Sequence, residues 1–436
     1  VDERDLLDEQ TYRQARVEES LWRWAKNARV SRKRVLQILA SAAGSALALR
    51  TSPPARAQQP QTGPGFDVSG ENGDFDQYSD WFSKLTPDEY FISHGHSREM
   101  RWEKARDIGY TVPNEMFYLQ NHFPTPQIDP STYTLTVHGD GVSNPLTLSY
   151  NDLLALPSTT ITRSQECGEN GRVFFAKQFR MQFDGTQWGL GAIGVADWTG
   201  VRLSEILQRA GITAGARDVM PVGLDTPAND MEHLSARPMP VSKAMMDDTL
   251  LVYGMNGDML PADHGFPVRA FLPGWTGIAN IKWVGEIRVS EQPLLSLYNT
   301  EYGVMIGPDY PPTPPSTLGE IATLRNVKSS FELPWNAALP AGAVRLTGRS
   351  WSGKGSIAKV EVSTDGGQTY QQVPLKDPNL SQTWVRWELN WNATPGRYNL
   401  RARATDSMGN VQPELEKFNQ HGYSYGGVVD HPVTIF

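Results

Sequence analysis

The 436-residue sequence predicts an α+β fold class: a mixed α+β domain over residues 110–310, followed by an immunoglobulin-like β-sandwich over residues 311–436. Three observations carry this reading. Short apolar runs punctuated by proline and glycine fill the first region. A proline-rich connector, GPDYPPTPPSTLGE at 307–320, follows it. Beyond the connector, alternating segments succeed one another over roughly 110 residues, the spacing of a two-sheet sandwich.

Taken in order, residues 1–57 read as an N-terminal extension and a twin-arginine-like signal peptide. Arg32, Lys33 and Arg34 precede an apolar, small-residue run from Val35 to Leu49, and Ala55 and Ala57 are spaced as in an A-x-A cleavage site. Lys33 stands where the second arginine is expected. The run is short for a membrane span. The expectation is cleavage after Ala57 and a periplasmic product, with an uncleaved membrane-surface helix as the alternative. Residues 58–109 read as an extended arm laid over the surface. His94 and His96 have no third ligand nearby, so they read as loop residues rather than a metal pair.

In the domain that follows, YTLTVHGDG alternates as a strand and ends in a turn, and LSEILQRAGI at 203–212 has helical spacing and a glycine stop. Asn256-Gly257 between apolar runs signals a hairpin. In the sandwich, AVRLTGRSWSG, IAKVEVSTDGGQTYQQV, TWVRWELNW, GRYNLRARATDSMGN and HPVTIF read as strands, with Asp365-Gly366-Gly367 at a hairpin tip. No cysteine pair staples the sheets, so packing must hold them.

The formal net charge of −8 argues against a nucleic-acid partner. Gly189, Gly191 and Gly194 have G-x-G-x-x-G spacing, but the preceding FRMQFDGTQ is too polar for a central parallel strand, so a dinucleotide site is disfavoured. There is no C-x-x-C-H for covalent haem, no C-x-x-C and no G-x-S-x-G. Cys167, in SQECGENGR, is the one cysteine of the chain. Gly168 and Gly171 let backbone approach a bound group. Arg163 and Arg172 are nearby cations that favour a thiolate, itself a good ligand for a sulfur-preferring metal. A structural loop cysteine is the alternative that spacing alone leaves open.

Several long segments in one order carry a resemblance: VPNEMFYLQNHFPTP, the Cys167 loop, QWGLGAIGVADWTGVRLSEIL, LLVYGMNGDMLPADHGFPVRAFLPGWTGIANIKWVGEIRVS and SWSGKGSIAKVEVSTDGGQTY. Together they resemble the sulfite oxidase family of molybdopterin enzymes over nearly all of residues 110–436. The resemblance implies a molybdopterin-binding catalytic domain, a C-terminal dimerisation domain and a Mo-molybdopterin cofactor, with no haem in this chain. It makes Cys167 the metal's thiolate ligand. It places Tyr118, Leu119, Gln120, Asn121 and His122 against the cofactor, with Asp225, Asn280, Ile281 and Lys282. His264 and Arg269 would hold the pterin phosphate, a task that suits arginine's planar fork. Tyr302 would be the active-site tyrosine.

Two departures bear on substrate. Members that oxidise free sulfite have arginine where this chain has Gln120, and a second pocket arginine is replaced by His421. The fine pattern, including QECGENGR and HGYSYGGVVDHPVTIF, is most similar to the branch of molybdenum subunits (SoxC type) of Sox sulfane dehydrogenases. The expectation is oxidation of sulfane sulfur on a carrier protein to sulfonate in thiosulfate oxidation, with electrons passing to a separate cytochrome c subunit and a homodimer within a hetero-oligomer. Gln120 and His421 then join Cys167 and Tyr302 at the catalytic centre, and Arg163 or Arg172 can replace the missing cations. The alternative is a free-sulfite dehydrogenase.

Overall fold

A computed structural model describes residue 78 and residues 80–225, 235–376 and 378–436. The signal-peptide reading of residues 1–57 lies outside these.

The first domain holds two five-stranded sheets. In one, Ser158–Glu166, Ile193–Arg202, Leu250–Met255 and Asp258–Met259 run in that spatial order, and Arg269–Phe271 also pairs with Leu250–Met255. In the other, Leu146–Ser149, Thr134–His138, Val284–Ser290, Asp218–Gly223 and Met239–Pro240 are neighbours, the second and third of them parallel. The predicted hairpin is present. Asn256 and Gly257 both take positive φ, 53° and 78°, as a two-residue turn demands. The predicted helix forms over Leu203–Arg209 and buries Leu203, Ile206 and Leu207.

The glycine triplet belongs to a strand entrance. Ile193–Arg202 is a strand, so these glycines lead into a strand instead of out of one. Their spacing answers to packing. A Cβ on Gly191 would lie 1.7 Å from the Met100 carbonyl oxygen, and one on Gly194 2.4 Å from the Phe117 ring. The amides of Gly189 and Gly191 donate to the Glu99 carboxylate at 3.0 and 2.9 Å. What docks here is Ser97–Met100, the middle strand of a small sheet with Phe91–His94 and Leu119–Gln120. All four of its residues are buried. The described part of the segment expected to lie over the surface, residues 80–109, is instead docked into the core, because it supplies Glu99 to the glycine loop and Phe91, Met100 and Trp102 to apolar packing. His94 ends a strand and pairs with Glu99 at 2.8 Å.

The C-terminal region is a sandwich. One sheet orders Lys328–Phe331, Gly342–Trp351, Trp384–Ala393 and Leu375–Lys376; the other orders Ala337–Leu339, Asp430–Ile435, Gly396–Asp406, Ile357–Ser363 and Gln371–Val373. Leu346, Val385 and Trp387 of the first face Val360, Val362, Leu400 and Ala402 of the second, and this core replaces a staple. Trp351, Trp384, Tyr425 and Val429 instead join the first domain's core with Trp102 and Phe174. The two domains thus share one apolar seam.

His431 sits on that seam at 2% exposure, its ring 4.8 Å from Trp335 and its Nε2 3.1 Å from the Pro334 carbonyl oxygen. Burial pushes its imidazole down to about 4. The unfolded chain binds this proton more readily, so stability is intact above about pH 6.5 and falls as the pH drops from there towards 4, by up to about 3 kcal/mol. Thermal unfolding of wild type and His431→Gln between pH 7.5 and 4.5 should show the stability gap between them narrowing as the pH falls.

Candidate functional site

Strand Ser158–Glu166 pairs antiparallel with Ile193–Arg202 and delivers Glu166 opposite Ile193. The ladder continues one step further, with the Cys167 amide donating to the Ala192 carbonyl at 2.9 Å. The chain then turns. Asn170 donates from its amide to the Cys167 carbonyl at 3.1 Å, accepts the Ala192 amide on its side-chain oxygen at 3.1 Å, and Gly171 takes φ 94° to start the helix Arg172–Phe179. From the far side, the Ser424 amide donates to the Gly168 carbonyl at 2.6 Å.

The Glu166 carboxylate, 1% exposed, anchors this loop to the sandwich. It accepts from Lys328 Nζ at 2.7 Å, Trp351 Nε1 at 3.0 Å and Asn170 Nδ2 at 2.9 Å, with Arg325 at 4.0 Å. A buried carboxylate persists only when paired and hydrogen-bonded, and here every contact also fixes the residue next to Cys167.

Cys167 opens onto a cavity of about 420 Å³, within the usual range for a small-molecule site. Of the sequence-predicted residues, Tyr118, Leu119, Gln120, His122, Cys167, Asp225, His264, Arg269, Asn280, Ile281, Lys282 and Tyr302 line it. Asn121 does not. It stands behind the wall, accepting from Lys282 Nζ and donating to Thr125 Oγ1. His421 is also off the wall. A turn from Asn419 to Gly422 carries it aside, its ring lies 5.2 Å from Tyr423, and Tyr423 lines the cavity in its place. Neither Arg163 nor Arg172 reaches the wall. Arg163 lies 3.8 Å from Asp248, and Arg172 pairs with Glu169 at 3.0 Å.

The cationic part of the wall is built for an anion. Arg269 donates to the His264 and Asn280 carbonyls at 2.9 and 3.1 Å, which aims its guanidinium, and its Nε has no partner. Lys282 donates to the Gln120 and Asp263 carbonyls at 3.1 and 3.0 Å. Burial and the nearby Arg269 charge push its ammonium down to about 7. The Asn280 side chain holds backbone instead, accepting from the Leu272 amide at 2.7 Å. Asp263 is a residue the sequence did not reveal. It takes the amides of Ser83 and Lys84 and the Thr125 hydroxyl, while Lys84 Nζ reaches His264 Nε2 at 3.3 Å. Burial holds His264 well below the ordinary imidazole range.

The remaining wall is neutral or acidic. Gln120 accepts from Ser97 Oγ at 2.6 Å, leaving its amide nitrogen as the donor. Tyr298, buried and unforeseen, lies 3.2 Å from His122 Nδ1, whereas Tyr302 is 42% exposed. His122 faces the open cavity, yet the enclosing protein pushes it down to about 4. The expected thiolate-favouring setting is reversed: burial pushes the Cys167 thiol far up, and Glu169 reinforces that because it outweighs Arg172. A cation is what would hold this sulfur as a thiolate.

Four buried polar atoms on the wall lack partners: Arg269 Nε, Thr276 Oγ1, Asp225 Oδ1 and Gln165 Oε1. Buried polar groups are almost always satisfied, so four orphans around one cavity mark the place of a polar ligand. Sulfur beside these donors and acceptors, with an arginine and a lysine in the same wall, fits a metal-bearing cofactor that ends in phosphate.

Comparisons with known proteins agree with this chemistry. A family model described as an oxidoreductase molybdopterin binding domain matches residues 122–298, and one described as a Mo-co oxidoreductase dimerisation domain matches residues 325–426. Sulfite oxidase of Gallus gallus is 33% identical over 324 residues, covering 70% of this chain and 68% of that protein. Mitochondrial sulfite oxidase of Homo sapiens is 34% identical over 323 residues. The chain spans 58% of the length of that human protein. The structure of the sulfane dehydrogenase SoxCD from Paracoccus pantotrophus superposes with a TM-score of 0.67 at 24% identity, covering 86% of this chain and 94% of that one, a likeness of fold.

Lys328→Met removes the cation hydrogen-bonded to the buried Glu166 carboxylate, leaving Arg325 at 4.0 Å, and should cost about 3 kcal/mol in denaturant unfolding. The double substitution Glu166→Gln/Lys328→Met should recover part of that loss.

Proposed function

The chain belongs to the sulfite oxidase family of molybdopterin-binding oxidoreductases, and from that membership we propose that it is the molybdenum subunit of a periplasmic sulfane dehydrogenase. It oxidises sulfane sulfur held on a carrier protein to sulfonate and passes electrons to a separate cytochrome c subunit. One observation supports this substrate above the others. The cavity that holds the thiol is lined by Gln120, His122, Glu169, Tyr298, Tyr302 and Tyr423, and its arginine and lysine, Arg269 and Lys282, already spend donors on backbone carbonyls. A small free dianion leaves water at a high cost unless fixed cations meet it. A sulfur atom delivered on a peptide arm carries less charge into the cavity.

When bound, the cofactor's molybdenum supplies a two-electron acceptor and a centre for oxygen transfer from water. The chain's residues do the rest. Cys167 supplies the sulfur ligand, held by Ala192, Asn170 and the Glu166 anchor. Arg269, aimed by the His264 and Asn280 carbonyls, holds the phosphate. Gln120 presents a neutral donor oriented by Ser97. Tyr298, 3.2 Å from a neutral His122, keeps its phenol protonated, because burial pushes its pKa up strongly. Its single O–H goes to an incoming oxygen or sulfur when the His122 tautomer presents its N–H to the phenol oxygen. Tyr302, at the exposed mouth, guides substrate entry. The C-terminal sandwich forms the homodimer contact, in keeping with the family model that covers it.

The second reading, a free-sulfite dehydrogenase, is favoured by the names of the relatives that are 33% and 34% identical. Turnover of free sulfite and of carrier-bound sulfane, measured side by side on holoenzyme with a cytochrome c acceptor, separates the two. The sulfane reading expects the carrier substrate to have the higher kcat/KM by at least about tenfold, a difference of about 1.4 kcal/mol; equal or better use of sulfite defeats it. Cys167→Ser should fold with an unchanged circular dichroism spectrum and lose turnover of both substrates, because the metal loses its sulfur ligand.

A further inference from the structure

Glu169 is the feature of the wall that the proposed reaction does not use. It lies two residues after Cys167, and its side chain is 21% exposed towards the cavity it lines. Both carboxylate oxygens are engaged. Oε1 pairs with Arg172 Nη2 at 3.0 Å, and Oε2 accepts from Trp188 Nε1 at 3.3 Å. Arg172 is 1% exposed and stands immediately behind this carboxylate, out of the cavity wall. Its other nitrogens are committed to backbone. Nε donates to the His421 carbonyl and Nη1 to the Thr186 carbonyl, each at 3.0 Å. Arg172 is thereby neutralised by a carboxylate that itself faces the cavity. The negative charge of Glu169 reaches across the space. It acts on the His122 ring and on the Tyr298 and Tyr423 phenols, three groups of the same wall.

We propose that Glu169 is a specificity-determining residue: it masks Arg172 and turns the negative end of their ion pair towards the cavity beside Cys167, and so keeps small free dianions out. Like charge near a low-dielectric wall repels a dianion, and an unmasked guanidinium at the same place would attract it. This deepens the carrier-substrate reading and rests on it, because a cavity that excludes free dianions has to receive its sulfur in another form.

The experiment uses molybdenum-loaded enzyme and sulfate, a dianion that is not oxidised, as the probe. Sulfate affinity is measured by titration calorimetry, and KM and kcat for free sulfite are measured separately. Glu169→Gln keeps the shape and leaves Arg172 its two carbonyls and an amide oxygen, so the local structure is retained. It should bind sulfate at least about tenfold more tightly than wild type, with a matching fall in KM for sulfite. Glu169→Ala should do the same, and Glu169→Asp, which keeps the charge, should stay with wild type. Adding Arg172→Met to Glu169→Gln should remove the gain. Sulfate affinity unchanged in both Glu169→Gln and Glu169→Ala at full molybdenum content overturns the proposal. So does a gain that survives the loss of Arg172. Rapid wild-type turnover of sulfite at low KM would instead sink the carrier-substrate reading, while the sulfate titrations still judge Glu169.

Discussion

The carboxylate of Glu166 ties two domains to one loop. Its partners come from three places: Lys328 and Trp351 from the sandwich, Asn170 from the loop, and Arg325 from the chain between the domains. A charge this deep has no solvent to fall back on, so each partner is required where it stands. Because Glu166 immediately precedes Cys167, the sandwich takes part in setting where the sulfur points. The apolar seam of Trp102, Trp351, Trp384 and Tyr425 gives the same junction its bulk, and the ion pair gives it registry. The C-terminal domain is thus part of the site's scaffold as well as a candidate dimer surface.

The cavity itself is a joint product of distant segments. One wall comes from the cysteine loop, another from the turn that carries His264 and Arg269, and another from the stretch around Tyr298 and Tyr302. Tyr423 arrives from the connection between the sandwich strands Gly396–Asp406 and Asp430–Ile435. Such a wall can be tuned by substitutions far apart in sequence. Gln120 and Glu169, for example, reach the same wall from different segments.

Features with local causes were legible in the sequence. Asn256-Gly257 declared a turn because few other pairs accept two positive φ values, and the strands of the sandwich declared themselves by alternation. Cys167 stood out because it was alone, and its neighbours in the resemblance pointed to the pocket residues that the structure gathers. What stayed hidden has tertiary causes. The glycine spacing at 189–194 is set by the approach of Met100 and Phe117, about 80 to 90 residues upstream, and no local pattern records such contacts. Arg172 looked like a cation available to a ligand, but its partner Glu169, three residues earlier, claims it once the loop folds. His421 and Tyr423 are two residues apart, and only the turn through Gly422 decides which of them meets the cavity.

The docked N-terminal stretch changes what counts as the edge of this protein. Ser83 and Lys84 give their amides to Asp263, and Lys84 extends its ammonium to the Phe117 carbonyl at 2.5 Å and to His264. Trimming the chain past these two residues would not shorten a tail. It would unroof the back of the cavity, leaving Asp263 with the Thr125 hydroxyl as its remaining side-chain donor among the described residues.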